Sequence, residues 1–278
     1  MGYEKTGDII REAYKNKYGV PSFNIFNYET IKFAIDAAEQ AGKPVIVQLY
    51  PGFQDYISFE ITVEITKIYA SKAKVPVGLH LDHCHDIEML KYAMRSGFMS
   101  VMYDGSRLPF EENIRTTREV VKSAKDFGAD VEAELGNIGS AANASEYTDA
   151  SKFTDPNDAL RFSEETGVGS LAVAVGNAHG NYAVLPNLDM PRIQTMSDNL
   201  KIPLVLHGGS GIPDAQLRQA VKCGIAKINV ATEYFKAFQN DVKTYVNGEN
   251  NQENIFACMK AVKGDVVNFL ADKITLLN

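Results

Sequence analysis

The chain has 278 residues, 45% of them hydrophobic, and a formal charge of −7. That length suits one large α/β domain or two ordinary ones, and the composition supports a sizeable core. An acidic chain with no block of like charges excludes a nucleic-acid-binding face, which needs to be basic. No apolar run approaches the ~20 residues that span a bilayer.

Cys84, Cys223 and Cys258 are odd in number and widely spaced. That is the pattern of reduced cytoplasmic thiols rather than of a disulfide framework. The segment Met1-Gly2-Tyr3-Glu4-Lys5-Thr6 leads into a polar helix and not into an apolar signal region, so a cytoplasmic protein is expected.

Apolar alternation predicts strands near 18–24, 44–49, 75–81, 98–103, 129–134, 169–175, 202–207 and 225–230. Amphipathic stretches at 28–42, 59–73, 86–96, 111–127, 156–166, 188–198 and 213–222 lie between them, and two more helices follow at 231–246 and 254–272. Asn27 or Thr30 can cap the first of these helices, and Gly42 ends it before Pro44. Eight strands alternating with helices predict one α/β domain over 1–278. The expected form is a (β/α)8 TIM barrel with additional N- and C-terminal helices; an open doubly wound sheet is the alternative. The loop 137–155 is long, small and polar, which predicts a mobile lid over a site.

The active site of such a barrel lies at the carboxyl ends of its strands. Those ends carry Asn24, Tyr50, Asp82, His83, Asp104, Glu132, Glu134, His179, His207 and Asn229. Three of the five histidines, His83, His179 and His207, hold equivalent strand-end positions. Neutral imidazoles from separate strands can bind a divalent metal and leave a position open for substrate. Asp82 stands beside this set as a proton carrier. Alternation puts His80 one layer deeper, as a structural residue, and leaves His85 exposed at the start of a helix. Glu132 and Glu134 share a strand face, and buried carboxylates need a cation or donors. Glu134 is expected at the metal, with Asp104 as another ligand. Glu132 faces either the metal or Lys227. The segments His207-Gly208-Gly209-Ser210-Gly211 and Asn229-Val230-Ala231-Thr232 each precede a helix, the arrangement that holds a phosphate on backbone N–H groups. A metal, an aspartate and a phosphate cradle fit aldol chemistry on a ketose phosphate.

These residues resemble the class II, zinc-dependent fructose- and tagatose-bisphosphate aldolases. The resemblance runs over residues 3–246. Its carriers are Leu79-His80-Leu81-Asp82-His83, Gly97 to Ser106, Val131-Glu132-Ala133-Glu134-Leu135-Gly136, Ala178-His179-Gly180-Asn181-Tyr182, Leu206 to Gly211 and Lys227 to Thr232. It implies Asp82 as proton donor and acceptor, and zinc on His83, His179 and His207. Asp104 and Glu134 become secondary contacts, with a second divalent or monovalent cation as an addition. It implies dihydroxyacetone phosphate against Gly180, Gly208, Gly209, Ser210, Asn229, Val230, Ala231 and Thr232, with Asn24 facing the substrate. The implied substrate is a tagatose or fructose 1,6-bisphosphate, and the implied assembly a homodimer or homotetramer.

Four positions depart from the family pattern. Ser140-Ala141-Ala142-Asn143 stands where the family has glycine and then acids, which leaves Glu146 as the nearest carboxyl. Tyr50 replaces a small serine, Asn177 a threonine, and Ala183 the lysine of many fructose-type members. Three rivals remain open from the residues: a metal-dependent aldolase for another ketose phosphate, a phosphosugar-binding barrel with little turnover, and a Schiff-base aldolase through Lys227.

Overall fold

The computed structural model describes residues 2–136, 138–248 and 254–278. Met1, and Asn137 at the head of the long loop, lie outside them. The strands are β1 (Val20–Ile25), β2 (Val45–Leu49), β3 (Val77–Cys84), β4 (Ser100–Tyr103), β5 (Asp130–Leu135), β6 (Ser170–Val173), β7 (Leu204–Leu206) and β8 (Ile225–Val230). All pair in parallel, each with the next, and β8 closes on β1. The chain is a (β/α)8 barrel, as its pattern predicts.

Side chains alternate across each strand, so the barrel sorts them into two populations. The outer set, including Phe23, Val47, Leu81, Val101, Val131, Leu171 and Ile228, forms the main apolar core under the helices. The inner set is largely polar: Ser22, Asn24, Gln48, His80, Asp82, Ser100, Glu132, Glu134, His207, Lys227 and Asn229 are all buried. A polar barrel interior is stable only when its groups satisfy one another.

The barrel helices are α2 (Tyr28–Ala41), α3 (Phe59–Ala70), α4 (Ile87–Ser96), α5 (Phe110–Lys125), α7 (Pro156–Thr166), α8 (Met190–Asn199), α9 (Asp214–Lys222) and α10 (Thr232–Asn247). Asn27 and Thr30 cap α2 together: each side chain accepts the other's backbone N–H in a capping box. Asp86, not His85, starts α4, accepting from the N–H groups of Glu88 and Met89. His85 is exposed, as expected. The N-terminal helix α1 (Thr6–Asn16) plugs the bottom of the barrel. There Ile9, Ile10 and Ala13 pack on Val20, Ile46 and Ala226. Thr6 Oγ1 donates to the Leu79 carbonyl at 2.9 Å. The C-terminal helix α11 (Ile255–Leu276) lies against α2 and α10.

The long loop is not an open flap. It contains a short helix, α6 (Ser145–Thr148), and is pinned to the segment after β6. Ala141 N–H donates to the His179 carbonyl and His179 N–H to the Gly139 carbonyl, both at 2.9 Å. The buried Tyr147 both donates to and accepts from the backbone of Val184. The mobile lid read from composition is, over its described residues, a tethered wall of the barrel mouth. Pairing of its backbone with a neighbouring segment is a long-range contact that composition does not encode.

Candidate active site

Strict alternation would point Asp82 and His83 to opposite faces of β3. The strand avoids this with a bulge. Leu81 pairs with Val101 and Cys84 with Tyr103, so Asp82 and His83 together oppose Met102 alone. His83 takes φ 31°, a left-handed conformation that β-branched and bulky residues avoid. Both functional side chains thereby face the mouth.

There His83 meets the other two imidazoles. Its Nε2 lies 3.2 Å from His179 Nε2 and 2.9 Å from His207 Nδ1. The outer nitrogen of each ring is already engaged. His83 Nδ1 donates to Asp104 Oδ2 at 3.0 Å, and His207 Nε2 donates to Glu132 Oε1 at 2.9 Å. His179 bonds the Ile138 carbonyl. Three inner nitrogens then face one another, and one proton can bridge only one pair of them. Around a tetrahedral zinc, such nitrogens stand about 3.3 Å apart. Glu134 Oε2 is buried without a hydrogen-bond partner among the described residues, 3.6 Å from His207 Nδ1. The donor set and this orphaned oxygen fit a divalent cation. His83, Asp104 and Glu134 form a second group of compatible spacing.

The electrostatics agree. Burial disfavours charge on His83, but the carboxylates of Asp82, Asp104 and Glu134 outweigh it and hold the ring's pKa up at about 9. Burial pushes Glu134 up to about 8. Burial, reinforced by His83, pulls His179 down to about 4 and His207 well below the usual histidine range. Burial opposes ionisation of Asp104, yet hydrogen bonds from His83 and Ser106 hold it below the usual carboxylate range. The cluster favours positive charge at one point.

Beneath the imidazoles, Glu132 resolves the choice left open by sequence. Its oxygens lie 2.9 and 3.2 Å from Lys227 Nζ, and it also accepts from His207. The lysine is fully buried and bound by both carboxylate oxygens, which leaves no free amine for a Schiff base. His80 sits in the same layer, its Nδ1 2.7 Å from Ser100 Oγ and burial holding its pKa well below the usual value.

Asp82 is held by three amides. Asn24 Nδ2 donates to its Oδ2 at 2.9 Å, Gln48 Nε2 to the same oxygen at 3.1 Å, and Asn229 Nδ2 to Oδ1 at 3.3 Å. Gln48 also donates to Asn24 Oδ1 and accepts from Ser22 Oγ. Sequence reasoning chose Tyr50 to represent β2 and missed Gln48. The available signal was a lone amide in the apolar run Val45–Leu49 of a strand covered on both faces.

Two chambers meet at His83 and His179. The smaller, about 180 Å³, is lined by Asn24, Asp82, Gly180, Gly208, Ser210, Asn229, Ala231 and Thr232. Ser210 Oγ accepts from Glu233 N–H in the first turn of α10, whose end has no side-chain cap of its own. Two residues expected in this chamber do not line it. Gly209 N–H is taken by the Asn229 carbonyl at 2.9 Å, and a Cβ on Gly209 would meet Ile228. Val230 is buried in the outer apolar core. Gly208, at φ 62°, passes so close to Ala178 that a Cβ would lie 2.0 Å from its carbonyl oxygen. Tyr182 ties these loops together by accepting from Ala178 N–H and donating to the Gly208 carbonyl. Asn177 braces the same corner, accepting from Val175 N–H and donating to the His207 carbonyl.

The larger chamber, about 580 Å³, is lined by Tyr50, His85, Asp104, Ser106, Arg107, Glu134, Ile138, Gly139, Ser140 and Glu146. Glu146 accepts from Ser140 N–H and from Asn143, which lowers its pKa. Arg107 also escaped sequence reasoning, and Ser106 entered it only as the end of a resembling motif, because a polar βα-loop has no periodicity to mark which side chains turn inward.

Fold and cluster together define a class of barrel protein with side chains able to hold a divalent cation at its carboxyl-end mouth. The fructose-bisphosphate aldolase class-II family profile matches residues 4–278, and the chain belongs to that family. A sulfofructosephosphate aldolase from Alkalicoccus urumqiensis is 37% identical over 276 residues, 99% of this chain and 96% of that protein. The crystal structure of the YdjI aldolase from Escherichia coli K12 superposes with a TM-score of 0.88 at 37% identity, over 99% of this chain and 97% of that one. A fructose-bisphosphate aldolase from Campylobacter jejuni shares the fold, with a TM-score of 0.83 at 22% identity over 100% and 96% of the two chains. The family consists of metal-dependent aldehyde-lyases acting on sugar phosphates. Among the described residues no helix is long and apolar enough to cross a membrane.

Proposed function

We propose that this chain is a zinc-dependent aldolase that reversibly cleaves a ketose 1-phosphate into dihydroxyacetone phosphate and an aldehyde. The observation that carries the reading is the position of Asp82, His83 and His179 where the two chambers meet, with His207 directly behind His83. His83, His179 and His207 would hold the cation, with Asp104 and Glu134 as secondary contacts. When bound, a divalent cation supplies Lewis-acid polarisation of the ketose oxygens.

The remaining work falls to the chain. The small chamber receives the 1-phosphate on Gly180, Gly208, Ser210 and the start of α10; among the described residues no lysine or arginine lines it, so N–H groups and the helix dipole supply the attraction. Asn229 Oδ1, buried without a partner among the described residues, is free to accept a sugar hydroxyl. Asp82, oriented by Asn24, Gln48 and Asn229, takes the proton of the C4 hydroxyl. The C3–C4 bond breaks, C4 becomes the aldehyde, and the electron pair passes to the three-carbon half as an enediolate. Glu146, on the loop side of the cleft, is the acid available to return a proton to that half. In the synthetic direction Asp82 gives its proton back to the new hydroxyl.

Two readings of the aldehyde half stand. The sequence pattern points to tagatose or fructose 1,6-bisphosphate, whereas the 37% identity to a sulfofructosephosphate aldolase favours a sulfonated sugar. A cytoplasmic homodimer or homotetramer belongs to this proposal; exposed Tyr56, Ile255 and Phe256 support burial against another copy. The test is cleavage of these ketose phosphates by metal-loaded protein. Chelation should abolish turnover and zinc should restore it, with the circular dichroism spectrum unchanged. Asp82→Ala should keep stoichiometric zinc and lose ~10²–10⁴ in kcat, the range of general acid–base catalysis. Cleavage indifferent to chelator, or normal turnover in Asp82→Ala, would sink the proposal.

A further inference from the structure

The larger chamber holds one cation that no protein group uses. Arg11, Arg115, Arg118, Arg161 and Arg192 each pair with a carboxylate, and Arg95 and Arg218 do not line the chamber. Arg107 lines the chamber and, among the described residues, makes no hydrogen bond, ion pair or ring contact. Its loop is nevertheless fixed. Ser106 donates to Asp104 Oδ1 through both N–H and hydroxyl, at 3.1 and 2.7 Å, and Leu108 N–H closes a turn on the Gly105 carbonyl. Gly105 lies so close to Asn113 that a Cβ would fall 2.2 Å from its side-chain oxygen. A guanidinium on a braced loop, beside the reacting centre and without a partner, is prepared for an anion that arrives with the substrate.

Charge sets what kind of anion. Asp104 is committed to His83 and Ser106, while Glu146 adds a negative charge to the lining of the same chamber. Arg107 therefore offers the chamber one permanent positive charge, beside the carboxylates of Asp104, Glu134 and Glu146 and three histidines. A phosphate dianion would leave one charge unmatched by the guanidinium in a chamber that Glu146 also lines. A sulfonate or carboxylate would be matched and could still receive the two parallel N–H bonds of the guanidinium fork. Tyr50 closes the far side; its ring lies over Gly52, where a Cβ would be 2.6 Å away, and stacks edge-on against Phe53.

We propose that Arg107 is the specificity-determining contact for a singly charged terminal group, sulfonate or carboxylate, on the aldehyde half of the substrate. This rests on the aldolase reading above. It is tested in the condensation direction with dihydroxyacetone phosphate and four three-carbon aldehydes, ending in sulfonate, carboxylate, phosphate or a plain hydroxymethyl group. Wild-type kcat/KM should be highest for the sulfonate or carboxylate, and which of the two leads identifies the terminal group. In Arg107→Gln the ratio of singly charged to neutral aldehyde should fall ~10–100-fold, the loss of a charged hydrogen-bond pair, chiefly through KM. Arg107→Lys should recover part of it. An unchanged ratio, or a wild-type preference for the phosphate or the neutral aldehyde, overturns the proposal. Titration calorimetry with the unreactive 2,3-dihydroxypropane-1-sulfonate, against glycerol, separates the two readings. Arg107-dependent sulfonate binding without any turnover supports the subsite and removes the aldolase reading. Turnover together with sulfonate binding that ignores Arg107 does the reverse.

Discussion

Replacing Glu132 by glutamine tests whether the buried layer beneath the imidazoles holds the metal site in shape. The carboxylate serves two partners: Lys227 Nζ at 2.9 Å and His207 Nε2 at 2.9 Å. Lys227 is fully buried, and Glu132→Gln leaves its ammonium without a countercharge. Breaking a buried pair from one side costs about 3–5 kcal/mol. For a chain of this length, unfolding entropy near 2 cal/mol/K per residue turns that into a fall in Tm of about 5–9 °C. The amide also orients His207 less firmly, and losses of this kind lower metal affinity about 10–100-fold. Calorimetric melting and competition with a chromophoric chelator read the two effects separately. The double variant Glu132→Gln/Lys227→Met should regain part of the stability, because the stranded charge is gone, but not the metal affinity. If Glu132→Gln melts like wild type and binds zinc equally well, the pair is not what supports His207.

Two further substitutions probe the chambers. Gln48→Leu strands Asn24 Oδ1 and removes one of the three amides on Asp82; we expect a stability loss of about 1–3 kcal/mol and a fall in kcat with zinc stoichiometry intact, read by urea unfolding and metal analysis. Unchanged kcat would mean that Asn24 and Asn229 alone suffice to orient Asp82. Gly208→Ala forces a Cβ against the Ala178 carbonyl at φ 62°, so KM for the sugar phosphate should rise and Tm should fall. A variant kinetically equal to wild type would show that the loop can move without disturbing the phosphate chamber.

The barrel was legible because most strands are short apolar runs ended by a polar residue and several helices carry their own stop, as Gly42, Gly97 and Gly167 do at φ 64°, 112° and 69°. The ligand candidates were legible for a related reason: His83, His179 and His207 stand where apolar alternation ends. Residues that support them were not. Gln48, Ser22 and Ser100 lie inside apolar runs, and only register across neighbouring strands, such as Asn24 with Gln48 and Gln48 with His80, reveals the network. The loop 138–155 misled composition because its order comes from pairing with residues around His179.

The bulge in β3 shows why local pattern could name the reacting pair without explaining it. A regular strand offers one inward side chain per two residues, a spacing near 7 Å along the strand. Proton transfer at an atom beside the cation needs the carboxylate and the imidazole closer than that. Two residues opposite Met102 alone place Asp82 against its amides and His83 among the imidazoles within one layer. The positive φ of His83 is a local strain, and such strain persists only where surrounding contacts impose it. Here Asp104 holds one ring nitrogen while the neighbouring histidines face the other. The site therefore fixes the backbone of β3 as much as β3 positions the site.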